Sequence, residues 1–249
     1  RVLFLSHITS PTALLFPIEA AIAEARRRGI WSVIDGAHTP GHIPLDLDAL
    51  GADFYAGNCH KWMMAPKGSA FLHARPEVQH LLNPLVISHG WTKDSKQPGA
   101  KGAFGNSPFV DELEMQGTRD PSAWLTLPAA VAAHDRLGGA GMRARNVALA
   151  RDGAARVARH LGTDLSGPDQ MLGAMVSLRL PERFGPATPD TAAALRESLW
   201  HTGRVEALVL PLSGALWLRL CAFAYNDARD FDAVIETLER IRPATGGRA

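Results

Sequence analysis

Two short stretches of the sequence combine residue types that can carry out chemistry. Residues 35–38 read DGAH and place Asp35 directly after the apolar run 31–34, and residues 57–62 read GNCHKW and place Lys61 after the next strand-like run. Ligands of open α/β sheets gather where the carboxyl ends of the strands meet. The spacing therefore predicts that the Asp35 carboxylate and the Lys61 amine share one edge of a sheet.

A carboxylate and a lysine at such an edge have three interpretations. They can form a structural ion pair, or they can belong to a metal site that draws on His38, His42, Cys59 and His60. The metal interpretation is weak, since the Pro40–Gly41 pair breaks the helix that would align the histidines. The third interpretation is a pyridoxal 5'-phosphate (PLP) site. There a lysine binds the cofactor aldehyde, and an aspartate keeps the pyridine nitrogen protonated so that the ring accepts electrons.

The elements that must position these residues follow from hydrophobic patterning. Apolar runs predict strands at residues 2–5, 30–34, 53–56 and 69–73, and Ile18, Ala21, Ile22 and Ala25 predict a helix between the first two. Strands separated by a helix indicate a parallel βαβ arrangement. The Gly- and Pro-rich residues 84–117 predict an irregular loop, and residues 121–160 predict mostly helix.

The last third of the chain predicts a smaller α/β domain. Strands are expected at residues 175–180, 205–210 and 216–220, with helices at 191–202 and 231–241. The fold class is therefore α/β: a parallel-rich sheet in the first part, and a smaller C-terminal α/β domain. We expect the domains to span residues 1–138 and 139–249.

Composition excludes several classes of protein. Of 249 residues, 46% are hydrophobic, and 26 Lys and Arg nearly balance 25 Asp and Glu, for a net charge of +1. Such a chain is predicted to be globular rather than disordered, with no bulk charge to bind nucleic acid or an anionic membrane. No apolar stretch approaches the ~18–20 residues of a membrane span. Two cysteines provide no disulfide framework, so a cytoplasmic location is expected.

An ordered set of motifs resembles the class V aminotransferase family of PLP enzymes, and within it the isopenicillin N epimerase-like branch. The motifs lie at residues 6–12 (SHITSPT), 34–38 (IDGAH), 53–62 (DFYAGNCHKW), 65–72 (APKGSAFL), 116–121 (QGTRDP), 217–220 (WLRL) and 225–226 (YN). This resemblance implies a PLP-dependent transferase-like fold. It also implies catalysis at Cα of an amino acid or amino-acid-derived small molecule.

The resemblance also implies roles for individual residues. Lys61 matches the lysine that binds the cofactor aldehyde, Asp35 the partner of the pyridinium nitrogen, and Arg219 the arginine that binds the substrate carboxylate. The remaining cofactor-binding positions are His7 and His38 near the phenolic oxygen, Asn58 and His60 at the phosphate, and Thr118 at the phosphate of a neighbouring subunit. The Thr118 position implies a homodimer.

The resemblance leaves the reaction open between epimerisation, transamination and elimination. A C–S lyase of the same family is one alternative, and an inactive fragment with a structural or interaction role is another. Cysteine desulfurases of the family use a nucleophilic cysteine. Matching residues 201–203 (HTG) with the Arg-Thr-Gly that precedes this cysteine in one desulfurase group places Glu206 at its position. Because neither Cys59 nor Cys221 occupies it, we expect no ordinary desulfurase activity.

Two further expectations concern the N-terminal part of the large domain and the entrance to the site. The sequence opens RVLFL without an initiator Met, and the family has a phosphate-binding segment and a ring-stacking residue upstream of the first strand. We therefore expect the N-terminal part of the large domain to be missing. Within the irregular loop we expect residues 87–115 to line the entrance. The residues expected there as substrate contacts are Trp91, Lys93, Lys96 and Phe104.

Overall fold

The first part of the chain forms a four-stranded sheet. The computed structural model describes residues 1–93, 95, 97 and 99–241. Strands β1 (Val2–Ser6), β2 (Trp31–Gly36), β3 (Phe54–Asn58) and β4 (Ala70–Ala74) lie in the order β1-β2-β3-β4. The first three are parallel and β4 runs antiparallel to β3. All four predicted strands are therefore confirmed, with ends that differ by one or two residues.

The connections explain these directions. Helix α1 (Ile18–Arg27) joins β1 to β2 and buries Ile18 and Ile22 against Ile34 and Tyr55, as a parallel crossover requires. A short helix α2 (Leu47–Leu50) lies between β2 and β3. The β3–β4 connection contains only turns, so β4 returns beside β3 in the opposite direction.

The segment predicted as irregular contains regular structure. A 3₁₀ helix spans Pro76–Leu81, just before it, and helix α3 (Pro108–Glu114) lies within it. The expectation of a fully irregular loop over residues 84–117 was therefore wrong at α3. The local signal was Ser107 followed by Pro108: the Ser107 hydroxyl accepts from the Val110 N–H at 3.3 Å, and proline suits a first helical turn. Helices α4 (Ser122–Leu125) and α5 (Leu127–Arg136) follow.

The second part of the chain builds an antiparallel sheet covered by helices. Strands β5 (Met175–Arg179), β6 (Leu208–Leu212) and β7 (Ala215–Cys221) lie in the order β5-β7-β6. The covering helices are α6 (Gly139–Leu161), α7 (Pro189–Gly203) and α8 (Ala228–Arg240), and short 3₁₀ helices span Asp169–Met171 and Glu182–Phe184. Their apolar faces share one core with the sheet, including Val157, Leu178, Leu199, Leu218 and Leu238. The α/β fold class is confirmed.

Two details differ from the expected boundaries. The strand predicted at 205–210 begins at Leu208. Arg204 ends α7 in a left-handed conformation with φ 56°, and the chain needs the next three residues to reach the sheet. Helix α6 begins at Gly139, next to Gly138, and both glycines have positive φ. The division into domains at 138/139 stays a prediction.

Loops that follow β1 and β2 contact the second sheet. The Ser177 hydroxyl on β5 donates to the Pro11 carbonyl at 2.8 Å, and the Ala174 N–H donates to His42 at 2.8 Å. The carboxyl ends of β1 and β2 therefore face β5 and β7. Among the described residues, no helix has the length and apolar character needed to span a bilayer.

Candidate active site

Asp35 lies at the carboxyl end of β2, where the sheet turns into a loop. One of its carboxylate oxygens accepts from the Ala37 N–H at 2.9 Å, which fixes the side chain over the turn. Within the described residues the other oxygen has no hydrogen bond to protein, so it can accept one from a ligand.

Lys61 lies on the turns that follow β3. The Met64 N–H donates to the Lys61 carbonyl at 3.1 Å, and the Ala65 N–H donates to the Cys59 carbonyl at 3.0 Å. This tight backbone directs the Lys61 Nζ to within 3.2 Å of His38 Nε2. Burial lowers the pKa of Lys61, the Asp35 carboxylate opposes that change, and the Arg219 guanidinium adds to it. The amine therefore loses its proton more readily than an exposed lysine.

His38 and Trp62 contact each other beside Lys61. The Trp62 indole N–H donates to His38 Nδ1 at 3.4 Å. Burial, followed by the positive charges of Lys61 and Arg219, lowers the pKa of His38 to about 4. His38 is therefore neutral at physiological pH.

His42 connects His38 and Trp62 to the second part of the chain. Its Nδ1–H donates to the His38 carbonyl at 3.0 Å, and its Nε2 accepts from the Ala174 N–H. The ring stacks on Trp62 with centroids 4.1 Å apart. A side chain at position 173 would collide with the ring, since its β-carbon would lie 2.7 Å from His42 Nε2. Gly173 thus permits the close approach of the two parts of the chain.

Arg219 reaches the site from β7 of the second sheet. One guanidinium nitrogen donates to the Ser10 carbonyl at 2.7 Å and the Ser10 hydroxyl at 3.0 Å. Its Nε is buried, and among the described residues no acceptor pairs with it. This unpaired donor belongs to the cationic guanidinium, which can bind a carboxylate ligand through two parallel hydrogen bonds.

His7 belongs to a buried network under the site. The Thr39 hydroxyl donates to the Gly36 carbonyl at 2.8 Å, so the Tyr55 hydroxyl donates to Thr39 at 2.7 Å and accepts from His7 Nδ1–H at 2.9 Å. Burial raises the pKa of Tyr55 to about 12. The role of His7 at a phenolic oxygen stays a prediction.

The proposed phosphate residues lie at different places. Asn58 ends β3, opposite Ala70 on β4. His60 follows it and donates from Nδ1 to the Ser69 carbonyl at 3.1 Å, so both lie close in sequence to Lys61. Thr118 lies exposed in the segment between α3 and α4. Their roles at a phosphate stay predictions.

The residues present fit PLP better than a metal. Lys61 offers an amine with a lowered pKa, Asp35 a free carboxylate oxygen, and Arg219 an unpaired donor. No group of three or more His, Cys, Asp or Glu side chains in the described part of the chain is arranged to hold a metal ion. His38 and His42, considered above as metal ligands, are committed to the hydrogen bonds just described.

Several residues of the site escaped the sequence interpretation. Trp62 was noted only as part of a motif, and Ser10, Tyr55 and Ala174 had no assigned role. Nothing in the sequence pairs residue 42 with 174 or residue 10 with 219, because these contacts join segments far apart in the chain. The aromatic residue next to Lys61 was the one local signal for Trp62.

Two aromatic residues of the predicted entrance loop are exposed, and Cys59 differs from an activated nucleophile. Trp91 is 45% exposed and Phe104 54% exposed, and Lys96 lies outside the described residues. Cys59 is buried, and burial raises the pKa of its thiol. Glu206 is exposed between α7 and β6.

Known proteins are similar to this chain in sequence and in fold. The model of the family "Aminotransferase class-V" matches residues 1–197. Isopenicillin N epimerase from Streptomyces clavuligerus is 38% identical over 97% of this chain and 60% of its own length. A putative L-cysteine desulfhydrase from Oryza sativa subsp. japonica is 34% identical over 83% of this chain and 41% of its own length.

The fold also has solved counterparts. The cystine C–S lyase C-DES, in complex with its product cysteine persulfide, superposes with a TM-score of 0.78 at 22% identity, over 98% of this chain and 62% of that one. A mutant of C-DES carries glycine covalently linked to its PLP cofactor. The chain thus spans about 60% of the length of the epimerase and of C-DES. The predicted resemblance, fold and cofactor class are confirmed: the chain belongs to the class V aminotransferase family of PLP-dependent enzymes.

Proposed function

We propose that the full-length protein acts at Cα of an amino acid or amino-acid-derived substrate, with an epimerase-type reaction. The observation that carries this proposal is that Lys61, whose Nζ lies 3.2 Å from His38 Nε2, is within electrostatic reach of Asp35 from the first sheet and of Arg219 from the second. The similarity to isopenicillin N epimerase supports epimerisation over other outcomes at Cα. When bound, PLP supplies an electron sink that makes the Cα–H bond acidic.

Each residue of the site then has a defined task. Arg219 binds the substrate carboxylate through two parallel N–H donors and orients Cα toward Lys61. Lys61, whose pKa burial lowers, removes the proton at Cα as general base. Epimerisation then requires a proton to be returned to the opposite face of Cα. Asp35 accepts the hydrogen bond of the protonated ring nitrogen and keeps that proton in place.

A paired set of lysine variants tests the role of Lys61. We expect the purified full-length protein to show the absorption band of lysine-bound PLP, and Lys61→Ala to lose that band. Lys67→Ala is the matched control, since Lys67 is an exposed lysine six residues away, and it should absorb as the wild type does. A folded protein that absorbs equally with and without Lys61 contradicts the proposal.

The second candidate reaction is C–S bond cleavage. The 34% identity to a putative L-cysteine desulfhydrase favours it as an alternative. Incubation with a panel of L-amino acids and small peptides in deuterated water separates the two. Deuterium at Cα in both enantiomers indicates epimerisation, an oxo acid indicates transamination, and release of sulfide or ammonia indicates a lyase. If no substrate exchanges its Cα–H, an inactive protein with a structural role is favoured.

The assembly and location of the protein are also proposals. We propose a homodimer, because Thr118 lies exposed where the family resemblance places a residue of the neighbouring phosphate site. The content of two cysteines supports a cytoplasmic location. Light scattering of the full-length protein measures the first, and fractionation of the source cells measures the second.

A further inference from the structure

His38 lies between a hydrogen-bond donor and the candidate catalytic lysine. An indole nitrogen can only donate, so the contact from Trp62 makes His38 Nδ1 an acceptor. A neutral imidazole carries one proton, and that proton must then be on Nε2. His38 Nε2 lies 3.2 Å from the Lys61 Nζ, so the nitrogen that faces the lysine is the donor of the pair.

We propose that Trp62 is a positioning residue that fixes His38 as the Nε2–H tautomer and thereby favours the unprotonated form of the Lys61 amine. An N–H that points at Lys61 can be accepted by a free amine and is repelled by an ammonium group. The same N–H is the donor that an anionic oxygen of a bound cofactor would meet. The proposal rests on the proposed role of Lys61 and adds the device that prepares it.

The structure gives Trp62 little freedom to release His38. Its ring stacks on His42, whose two nitrogens are both engaged, one with the His38 carbonyl and one with the Ala174 N–H. The backbone of Trp62 packs against Gly41, where a β-carbon would lie 2.6 Å from the Trp62 carbonyl oxygen. The indole is therefore held on its face by His42 and at its backbone by Gly41.

The charges around His38 act in the same direction, with one exception. Lys61 from the loop after β3, Arg219 from β7 and His42 disfavour a protonated His38, and Asp35 on β2 favours one. For Lys61, the Arg219 guanidinium favours the free amine and Asp35 favours the ammonium form. Asp35 opposes the free amine, and an N–H directed from His38 adds to burial and Arg219 in offsetting that effect.

The tautomer can be observed directly by ¹⁵N NMR of the histidine rings. The full-length protein is measured loaded with PLP and again after PLP is removed, and His38→Gln identifies the His38 signals. We expect a protonated Nε2 and an unprotonated Nδ1 in both states. A protonated Nδ1, or a doubly protonated ring at neutral pH, would overturn the proposal without any variant of Trp62.

A second measurement follows the lysine itself. The pH dependence of Lys61 acylation by acetic anhydride, read by mass spectrometry on PLP-free protein, reports its free amine. In Trp62→Phe, which keeps an aromatic ring but removes the donor, His38 is free to adopt the Nδ1–H tautomer and accept from an ammonium group. The midpoint should then rise by about one pH unit, a tenfold loss of free amine.

Two controls make the result specific. Trp200→Phe changes an exposed indole on α7 and should leave the midpoint unchanged. In a His38→Phe background, Trp62→Phe should have no additional effect, because the phenyl ring has neither a donor nor an acceptor to orient. An unchanged midpoint in Trp62→Phe, or an equal rise in the His38→Phe background, overturns the proposal. Failure of the proposed function is distinguishable, since it appears as PLP absorption that does not depend on Lys61.

Discussion

Arg219 joins the two sheets at the point where a substrate carboxylate is proposed to bind. Its guanidinium already contacts Ser10, and its buried Nε has no acceptor among the described residues. A buried donor without a partner is costly, so a ligand that pairs with it gains that energy on binding. The first part of the chain therefore holds the Arg219 side chain in place, and its Nε needs an anionic ligand as a hydrogen-bond acceptor.

Arg219→Lys should impair substrate binding while leaving PLP in place. Lysine keeps the charge but lacks the planar pair of donors, so one of two parallel hydrogen bonds to the carboxylate is lost. We expect kcat/KM to fall about 10- to 100-fold, mostly through KM, in steady-state kinetics with the substrate found in the exchange panel. An unchanged KM together with a lower kcat would place Arg219 in another role.

The candidate site residues were predictable where they stand in short motifs, and the roles of Arg219, His7 and Thr118 came from the family resemblance. Asp35 and Lys61 were identified because each follows a strand whose carboxyl end had to lie at the same edge. The hydrogen bonds that set their state involve Ser10, Trp62 and Ala174, whose partners lie in other segments. Such pairings depend on how two sheets meet, and no local pattern encodes that geometry.

At the scale of the element, β2 and β3 pack closely because one residue of β2 is a glycine, which has no side chain. A β-carbon at Gly36 would lie 2.1 Å from the Tyr55 ring and 2.3 Å from its hydroxyl. Gly36 directly follows Asp35, so a shift of β2 at this contact would also move the candidate carboxylate.

Gly36→Ala should therefore lower both stability and cofactor affinity. Overpacking of a close core contact costs about 1–3 kcal/mol in the free energy of unfolding. Urea denaturation measures that loss, and PLP absorption during titration measures the displacement of Asp35. Gly141→Ala is the control, since Gly141 lies in helix α6 with open space around it, and alanine there should be neutral or stabilising. Equal effects of the two variants would contradict this explanation.

The His42 contact makes the joint between the two parts sensitive to acid. Burial lowers the pKa of His42 from 6.5 to about 4, and its Nε2 must stay unprotonated to accept from Ala174. The unfolded chain binds this proton more readily, so the stabilisation is complete above pH 6.5 and is lost as the pH falls from 6.5 to 4. The difference corresponds to about 3 kcal/mol.

His42→Phe tests this dependence while keeping a ring to stack on Trp62. The free energy of unfolding in urea, measured between pH 7.5 and 4.5, should rise with pH less steeply in the variant than in the wild type. Some slope should remain, because burial also lowers the pKa of His38 to about 4. His201→Phe, at an exposed position on α7, should keep the full slope, and a wild-type slope in His42→Phe would exclude this linkage.

Element positions were predicted best where hydrophobic periodicity was strong. The four strands of the first sheet and helices α7 and α8 lie within three residues of their predicted bounds. Helix α3 was missed because glycines and prolines surround it, and its N-terminal Ser107–Pro108 signal covers only two residues. The antiparallel direction of β4 depended on a short connection that contains no helix, a feature of tertiary pairing rather than of local propensity.

At the scale of the whole molecule, the chain spans about 60% of the length of the epimerase and of C-DES. The described residues contain Lys61 and Asp35, which are proposed to hold PLP, and Arg219, which is proposed to bind the substrate carboxylate. Thr118 is different, since it lies exposed beyond α3 and is proposed to serve the site of a second subunit. The function of the full-length protein would then depend on assembly as well as on folding.

Mixed dimers test that dependence. Thr118→Ala should raise the Kd for PLP about tenfold by removing one hydrogen bond to an anionic phosphate, and Lys61→Ala should abolish cofactor attachment in its own subunit. If Thr118 serves the neighbouring site, a dimer of one Thr118→Ala and one Lys61→Ala subunit has one site with both side chains intact. Co-expression with two affinity tags isolates that dimer, and its PLP titration should show one wild-type site per dimer. If Thr118 instead acts within its own subunit, the only site with Lys61 lacks Thr118, and the tight site disappears.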